Sequence, residues 1–146
     1  MQATEAKSKP YLMVFCFKGS YNVIMIDERM NDNIYTETQI VAITNEVAKV
    51  ARKELGDRLS DVILYGSYAR GDYKEWSDID MMIVAQADDI EVNQIKNLLA
   101  EKLWSLIFET NLLLSIIVVS VKKFEQYKGI LPFYINVERE GRRIIV

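Results

Sequence analysis

Gly66-Ser67 and Asp78-Ile79-Asp80 are the residues of this chain whose types and spacing could do chemistry, and Arg70 stands between them. Glycine lets a backbone turn come close to a ligand and serine adds a hydroxyl, so the amides of such a turn can converge on an anion. Arg70 adds a fixed positive charge nearby. Residues 77 to 84 have the pattern of a strand, and a period of two turns Asp78 and Asp80 to one face. Two carboxylates held about 4 Å apart repel by roughly 4 kcal/mol at an effective dielectric of about 20, so the pair calls for a cation. Hard oxygen ligands favour Mg²⁺, which takes one or two carboxylates and completes its shell with water and substrate phosphates. Cradle and carboxylates thus ask for one ligand, a nucleoside triphosphate with its magnesium. Each part has a plainer reading alone, since a Gly-Ser pair commonly ends a strand in an ordinary turn and Asp-x-Asp can be a solvated strand face. Their joint spacing, just ahead of the apolar run Met81-Met82-Ile83-Val84, favours the combined site.

The elements that must position these residues are legible around them. Val62-Ile63-Leu64-Tyr65 closes a short buried strand over 59–65 that stops at Gly66. Upstream, Thr36-Glu37-Thr38-Gln39 has the form of a capping box. Ile40, Ile43, Val47, Val50 and Leu55 then recur at helical spacing, with Gly56 as the stop. The polar face of that helix, with Glu46, Lys49, Arg52, Lys53 and Glu54, reads as solvated. Past the carboxylates, Asp88-Asp89-Ile90-Glu91 offers a second cap, and Ile95, Leu98, Leu99, Leu103, Leu106 and Ile107 mark a long helix to about Glu109. Trp104 is expected in its core face. The apolar run over 112–120 looks like a fully buried strand.

A short helix over 121–128 should turn Val121, Phe124 and Tyr127 inward. Pro132-Phe133-Tyr134 opens a last helix, Gly141 ends it, and residues 142–146 add an edge strand or tail. Arg139, Arg142 and Arg143, mixed with Glu138 and Glu140, read as a solvated end. The fold class implied is α/β in the α+β sense, a small mixed sheet flanked by helices. Residues 1–29 are expected to be an extension ahead of a domain over 30–146. Within it, Tyr11 to Ile26 forms either an added hairpin around Lys18-Gly19-Ser20 or an irregular extension, and Met25 and Met30 are candidate translation starts.

Taken together, Gly66-Ser67, Ala69-Arg70-Gly71 and Ser77-Asp78-Ile79-Asp80 resemble the signature of the DNA polymerase-β-type nucleotidyltransferase superfamily, and within it the minimal nucleotidyltransferases. The resemblance implies the nucleotidyltransferase fold and transfer of a nucleoside monophosphate, AMP from ATP, to a hydroxyl acceptor. Gly66 and Ser67 would hold the β- and γ-phosphates, and Asp78 and Asp80 would bind Mg²⁺ as the catalytic carboxylates. Arg70 is the expected phosphate clamp and Lys74 a weaker candidate. The superfamily pattern has a third carboxylate on the strand after the long helix. Here that strand has only Ser115 as a polar residue, which either takes the place of that carboxylate or simply bonds a buried carbonyl, and Glu109 or a partner's residue is the alternative source. Tyr65, Tyr68, Tyr73 and Trp76 lie close by in sequence and serve either packing or base stacking.

In the minimal group, a HEPN-type toxin is the expected partner, with this chain as its adenylylating antitoxin. The alternatives are a non-catalytic antitoxin or regulatory subunit that binds nucleotide, and an aminoglycoside-type nucleotidyltransferase, which usually carries a further helical domain.

Composition bounds these readings. With 146 residues, half of them hydrophobic, the chain has enough material for one ordinary core. A net charge of −3 argues against duplex nucleic acid as the main partner. The single cysteine, Cys16, cannot form an internal disulfide and fits a reducing cytoplasm, where it reads as a small buried hydrophobe. No histidine is present, which removes histidine-based acid–base chemistry and the usual zinc sites. The apolar run at Tyr11 to Phe17 is too short for a membrane span and lacks a cleavage site, so neither secretion nor insertion is expected.

Overall fold

A computed structural model of the chain describes residues 11–17, 20–26, 35–75, 77–110 and 113–144. Two compact units divide at residue 33, Met1–Asn33 and Ile34–Val146. In the first, β1 (Tyr11–Phe17) and β2 (Ser20–Ile26) pair antiparallel, with Tyr11 opposite Ile26 and Phe17 opposite Ser20. Cys16 lies opposite Tyr21 in this ladder.

The second unit begins with α1 (Glu37–Leu55), and its start is the capping box: Thr36 accepts from the Gln39 amide while Gln39 accepts from the Thr36 amide. Gly56 ends it with φ 54. A single 3₁₀ turn leads into β3 (Leu59–Tyr65), which is followed at once by the short helix α2 (Gly66–Arg70). Then come β4 (Ile79–Ala85) and α3 (Asp89–Thr110), β5 (Leu114–Ser120) and α4 (Val121–Tyr127), and last α5 (Pro132–Glu140) and the two-residue strand β6 (Arg142–Arg143). Asp88 caps α3, accepting from the Ile90 and Glu91 amides, while the Glu91 carboxylate accepts from the Asp88 amide.

The sheet runs in the order β5-β4-β3-β6 and is mixed. β3 pairs antiparallel with β4 and β6, while β4 and β5 run parallel, joined by α3 as the crossover. Period two gives the sheet two apolar faces. Val62, Leu64, Met81, Ile83 and Val118 pack with Ile40, Val47 and Ala51 of α1 and Ile95, Leu99 and Leu103 of α3. On the other face, Ile63, Met82, Val84 and Val119 pack with Phe124 of α4 and Tyr134 and Val137 of α5. Helices therefore cover both faces, and β3 and β4 at the centre are the most deeply held strands.

Two expectations are corrected. β5 is an edge strand, so only Val118, Val119 and Ser120 are buried while Leu114 to Ile117 are half-buried. An apolar run alone does not tell an edge from a centre. Trp104 is 44% exposed and stacks on Phe108, itself 64% exposed. The two stand one turn apart on a face that the Ile95, Leu99 and Leu103 stripe does not include, and hydrophobicity outweighed helical phase in the sequence reading. The arginines near the end are exposed, as expected, and they form surface ion pairs. Arg143 pairs with Glu138 at 2.7 Å and Asp61 at 3.5 Å, Arg139 with Glu140 at 2.7 Å, and Arg142 with Glu37 at 2.6 Å.

Candidate active site

β3 and β4 bring the two halves of the sequence motif together at one end of the sheet. Tyr65, the last residue of β3, stands opposite Asp80 of β4, and Asp80 stands beside Ser115 of β5. Register partners share a face, so Tyr65, Asp80 and Ser115 form a polar row across three strands, continuing the rows of Ile63, Met82 and Ile117 on the face that α4 and α5 cover. Asp78 is exposed and lies just before β4, whose first residue is Ile79; the strand thus starts two residues later than the pattern over 77–84 implied. Ser77 accordingly belongs to the loop, where its hydroxyl accepts from the Lys74 amide at 2.8 Å and its amide donates back to the Lys74 carbonyl at 3.0 Å.

The chain turns from Tyr65 into α2 through Gly66, whose φ is 74. That conformation is open to glycine and strained for other residues. Its second reason for being glycine is contact: a Cβ at position 66 would run into the Asp80 carboxylate. Backbone and carboxylate thus touch without a side chain between them. Ser67 then starts the helical turn, and its carbonyl accepts from the Gly71 and Asp72 amides at 2.9 and 3.2 Å, with Gly71 at φ 82 ending the helix.

Electrostatics mark Asp80. Burial and, next, the charge of Asp78 push its carboxyl above the ordinary 3.8, while a hydrogen bond with Ser115 and the charge of Arg70 pull it down. Burial, and then the Asp80 charge, push the neighbouring Tyr65 phenol up to about 12, so it stays a protonated donor through the physiological range. Arg70 is half-exposed at the end of α2, its Nε donating to Asp72 at 3.2 Å and its Nη1 3.7 Å from Glu140. The aromatic residues near the motif pack. Tyr68 is fully buried and stacked on Tyr73, with centroids 4.3 Å apart, and Tyr65 meets Phe133 edge-on at 5.6 Å. Trp76 lies outside the described residues, as does the side chain of Glu109.

Two carboxylates, one of them raised by burial and then by the other's charge, are a donor set suited to a divalent cation, and the residues fit Mg²⁺ in that sense. Among the described residues no three acidic, cysteine or histidine side chains come together, and Ser115 occupies the strand position beside Asp80. Its hydroxyl is engaged with Asp80. Sequence reasoning missed two residues that hold α2: Arg142, whose Nε donates to the Ala69 carbonyl at 3.0 Å, and Glu37, its carboxylate partner. Their only sequence signal was a basic residue just after the Gly141 stop.

The sequence model of the nucleotidyltransferase domain matches residues 45–145, from within α1 past the end of β6, and the chain belongs to that family of transferases. A candidate protein adenylyltransferase of Methanocaldococcus jannaschii, MJ0604, is 34% identical over 97 residues, covering 66% of this chain and 89% of its own length. A second from the same organism, MJ0141, is 48% identical over 48 residues, which are 33% of this chain and about half, 48%, of that protein. Among solved structures, the complex of a tri-AMPylated HEPN toxin with its MNT antitoxin from Shewanella oneidensis aligns over 70% of this chain and 70% of that one. The TM-score is 0.38 and the identity 15%.

Proposed function

We propose that this chain transfers AMP from ATP to a hydroxyl group on a partner protein. The observation that carries the reading is Gly66 seated on the Asp80 carboxylate, which joins a backbone able to hold phosphates to a group able to hold their cation. The names of the two archaeal relatives support the adenylyl group and the protein acceptor. Gly66 and Ser67 bind and orient the triphosphate, and Asp78 and Asp80 hold Mg²⁺. Bound there, the ion would supply charge neutralisation at the phosphates. Arg70 reaches the phosphates by exchanging its exposed partner Asp72 for them. The acceptor oxygen attacks the α-phosphorus in line, its bond to phosphorus forming as the bond to pyrophosphate breaks, and the hydroxyl proton leaves to solvent. Positioning and charge stabilisation account for such a reaction without a covalent intermediate.

The domain over 30–146 carries this chemistry, with residues 1–29 as an extension. A HEPN-type toxin is the partner class that the sequence resemblance implies, with the cytoplasm as the place of work. Ser115 beside Asp80 favours a second reading, a nucleotide-binding antitoxin that masks its partner with little turnover. Calorimetric titration with ATP, with and without Mg²⁺, tests the site. Magnesium-dependent binding that disappears in Asp80→Asn is the expected result, and equally tight binding by that variant overturns the assignment. Mass spectrometry of a co-expressed HEPN partner then separates the two readings: an added adenylyl group supports transfer, and its absence at full ATP occupancy supports masking.

A further inference from the structure

Arg142 lies far from the motif in sequence, yet it is tied directly to the turn that follows Gly66-Ser67. α5 ends at Glu140, and Gly141 carries the chain onto β3, where a Cβ would collide with the Val137 carbonyl and the Ile63 side chain. That close approach lets β6 pair beside the end of β3, with Arg142 opposite Leu64. From there the guanidinium fork divides. Nε donates to the Ala69 carbonyl at 3.0 Å and Nη1 to Glu37 in the first turn of α1 at 2.6 Å.

Ala69 is the penultimate residue of a five-residue helix, and a helix that short has mostly unpaired carbonyls at its end. A cation bonded there satisfies one of them and complements the local dipole. One residue further on, Arg70 is approached by Glu140 at 3.7 Å. The residues flanking Gly141 therefore grip α2 from outside the motif.

We propose that Arg142 is a positioning residue for the nucleotide. It fixes the far end of α2, and so the orientation of the Gly66-Ser67 amides at its near end, without touching the ligand. The inference rests on the reading of Gly66-Ser67 as the phosphate cradle, and two readouts keep the claims separate. Arg142→Ala is expected to raise the KM for ATP about tenfold with kcat little changed. Arg142→Lys retains a donor for the carbonyl and recovers part of the loss.

Arg52→Ala is the matched control, because Arg52 makes the same kind of bond, Nη1 to the Gly56 carbonyl at 3.1 Å, at the end of α1. Its KM is expected to stay at the wild-type value. Hydrogen exchange without nucleotide gives the independent measure, and the amides of residues 67–71 are expected to lose protection in Arg142→Ala. Unchanged exchange there overturns the brace. So does a KM that does not move, or one that moves only together with kcat and the unfolding midpoint. Failure of the wild-type protein to bind ATP, with exchange altered as expected, overturns the cradle reading instead.

Discussion

At the scale of single residues, Asp80 carries a conflict between stability and function. Burial and Asp78 raise its carboxyl above the ordinary 3.8, so the folded chain holds that proton more tightly than the unfolded chain. Stability from this group is therefore present at low pH. It is lost as pH climbs from the ordinary value through the raised one, because the unfolded chain ionises first. Asp80→Asn is accordingly expected to raise the thermal midpoint of nucleotide-free protein at neutral pH, with the advantage vanishing below the ordinary carboxylate range. Scanning calorimetry across pH checks this, and a variant that is less stable at every pH contradicts it. The same substitution that helps the empty fold is expected to abolish magnesium-dependent ATP binding. The strand that carries Asp80 was legible in the sequence from its alternation; the place of Ser115 was legible only through the family resemblance, and its exact register with Asp80 depends on how two strands align.

At the scale of elements, α2 and its entry turn are where sequence and geometry agree most closely. Gly66 needs both its positive φ and its missing Cβ. Gly66→Ala is expected to cost more than about 1 kcal/mol of stability by denaturant unfolding and to eliminate ATP binding by calorimetry. Retained binding would mean that the turn can move off Asp80. The capping boxes of α1 and α3 were legible for the same local reason, each being set by four consecutive residues. The outward face of α3 was not. Trp104 and Phe108 have the composition of a core, and only the phase of the helix, fixed by Ile95, Leu99 and Leu103, turns them to solvent. The engagement of Arg142 with α2 was illegible for a different reason, because its partners Glu37 and Ala69 are brought to it by β6.

At the scale of the whole second unit, one sheet separates two cores, and the larger is shared by α1, α3 and the sheet. Leu99, 1% exposed, sits in it against the central strands. Leu99→Ala is expected to cost about 2–5 kcal/mol in urea unfolding, and a cost below about 1 kcal/mol would mean that the α3 side is loosely packed. No helix among the described residues is long and apolar enough to cross a membrane. The helix–sheet layering was legible from periodicity. The position of β5 at the edge was not, because strand order arises from pairing rather than from any segment's own pattern.

That edge position gives the Tyr65, Asp80 and Ser115 row a further meaning. A slip of β5 by one residue along β4 would set Leu114 or Ile116 beside Asp80 and strip the carboxylate of its hydroxyl partner. Misaligned chains could keep most of their secondary structure and still lose the polar row. The acidity of one side chain thereby becomes a reporter of whether the last parallel pairing has closed correctly, and following its titration during refolding would time that event separately from collapse.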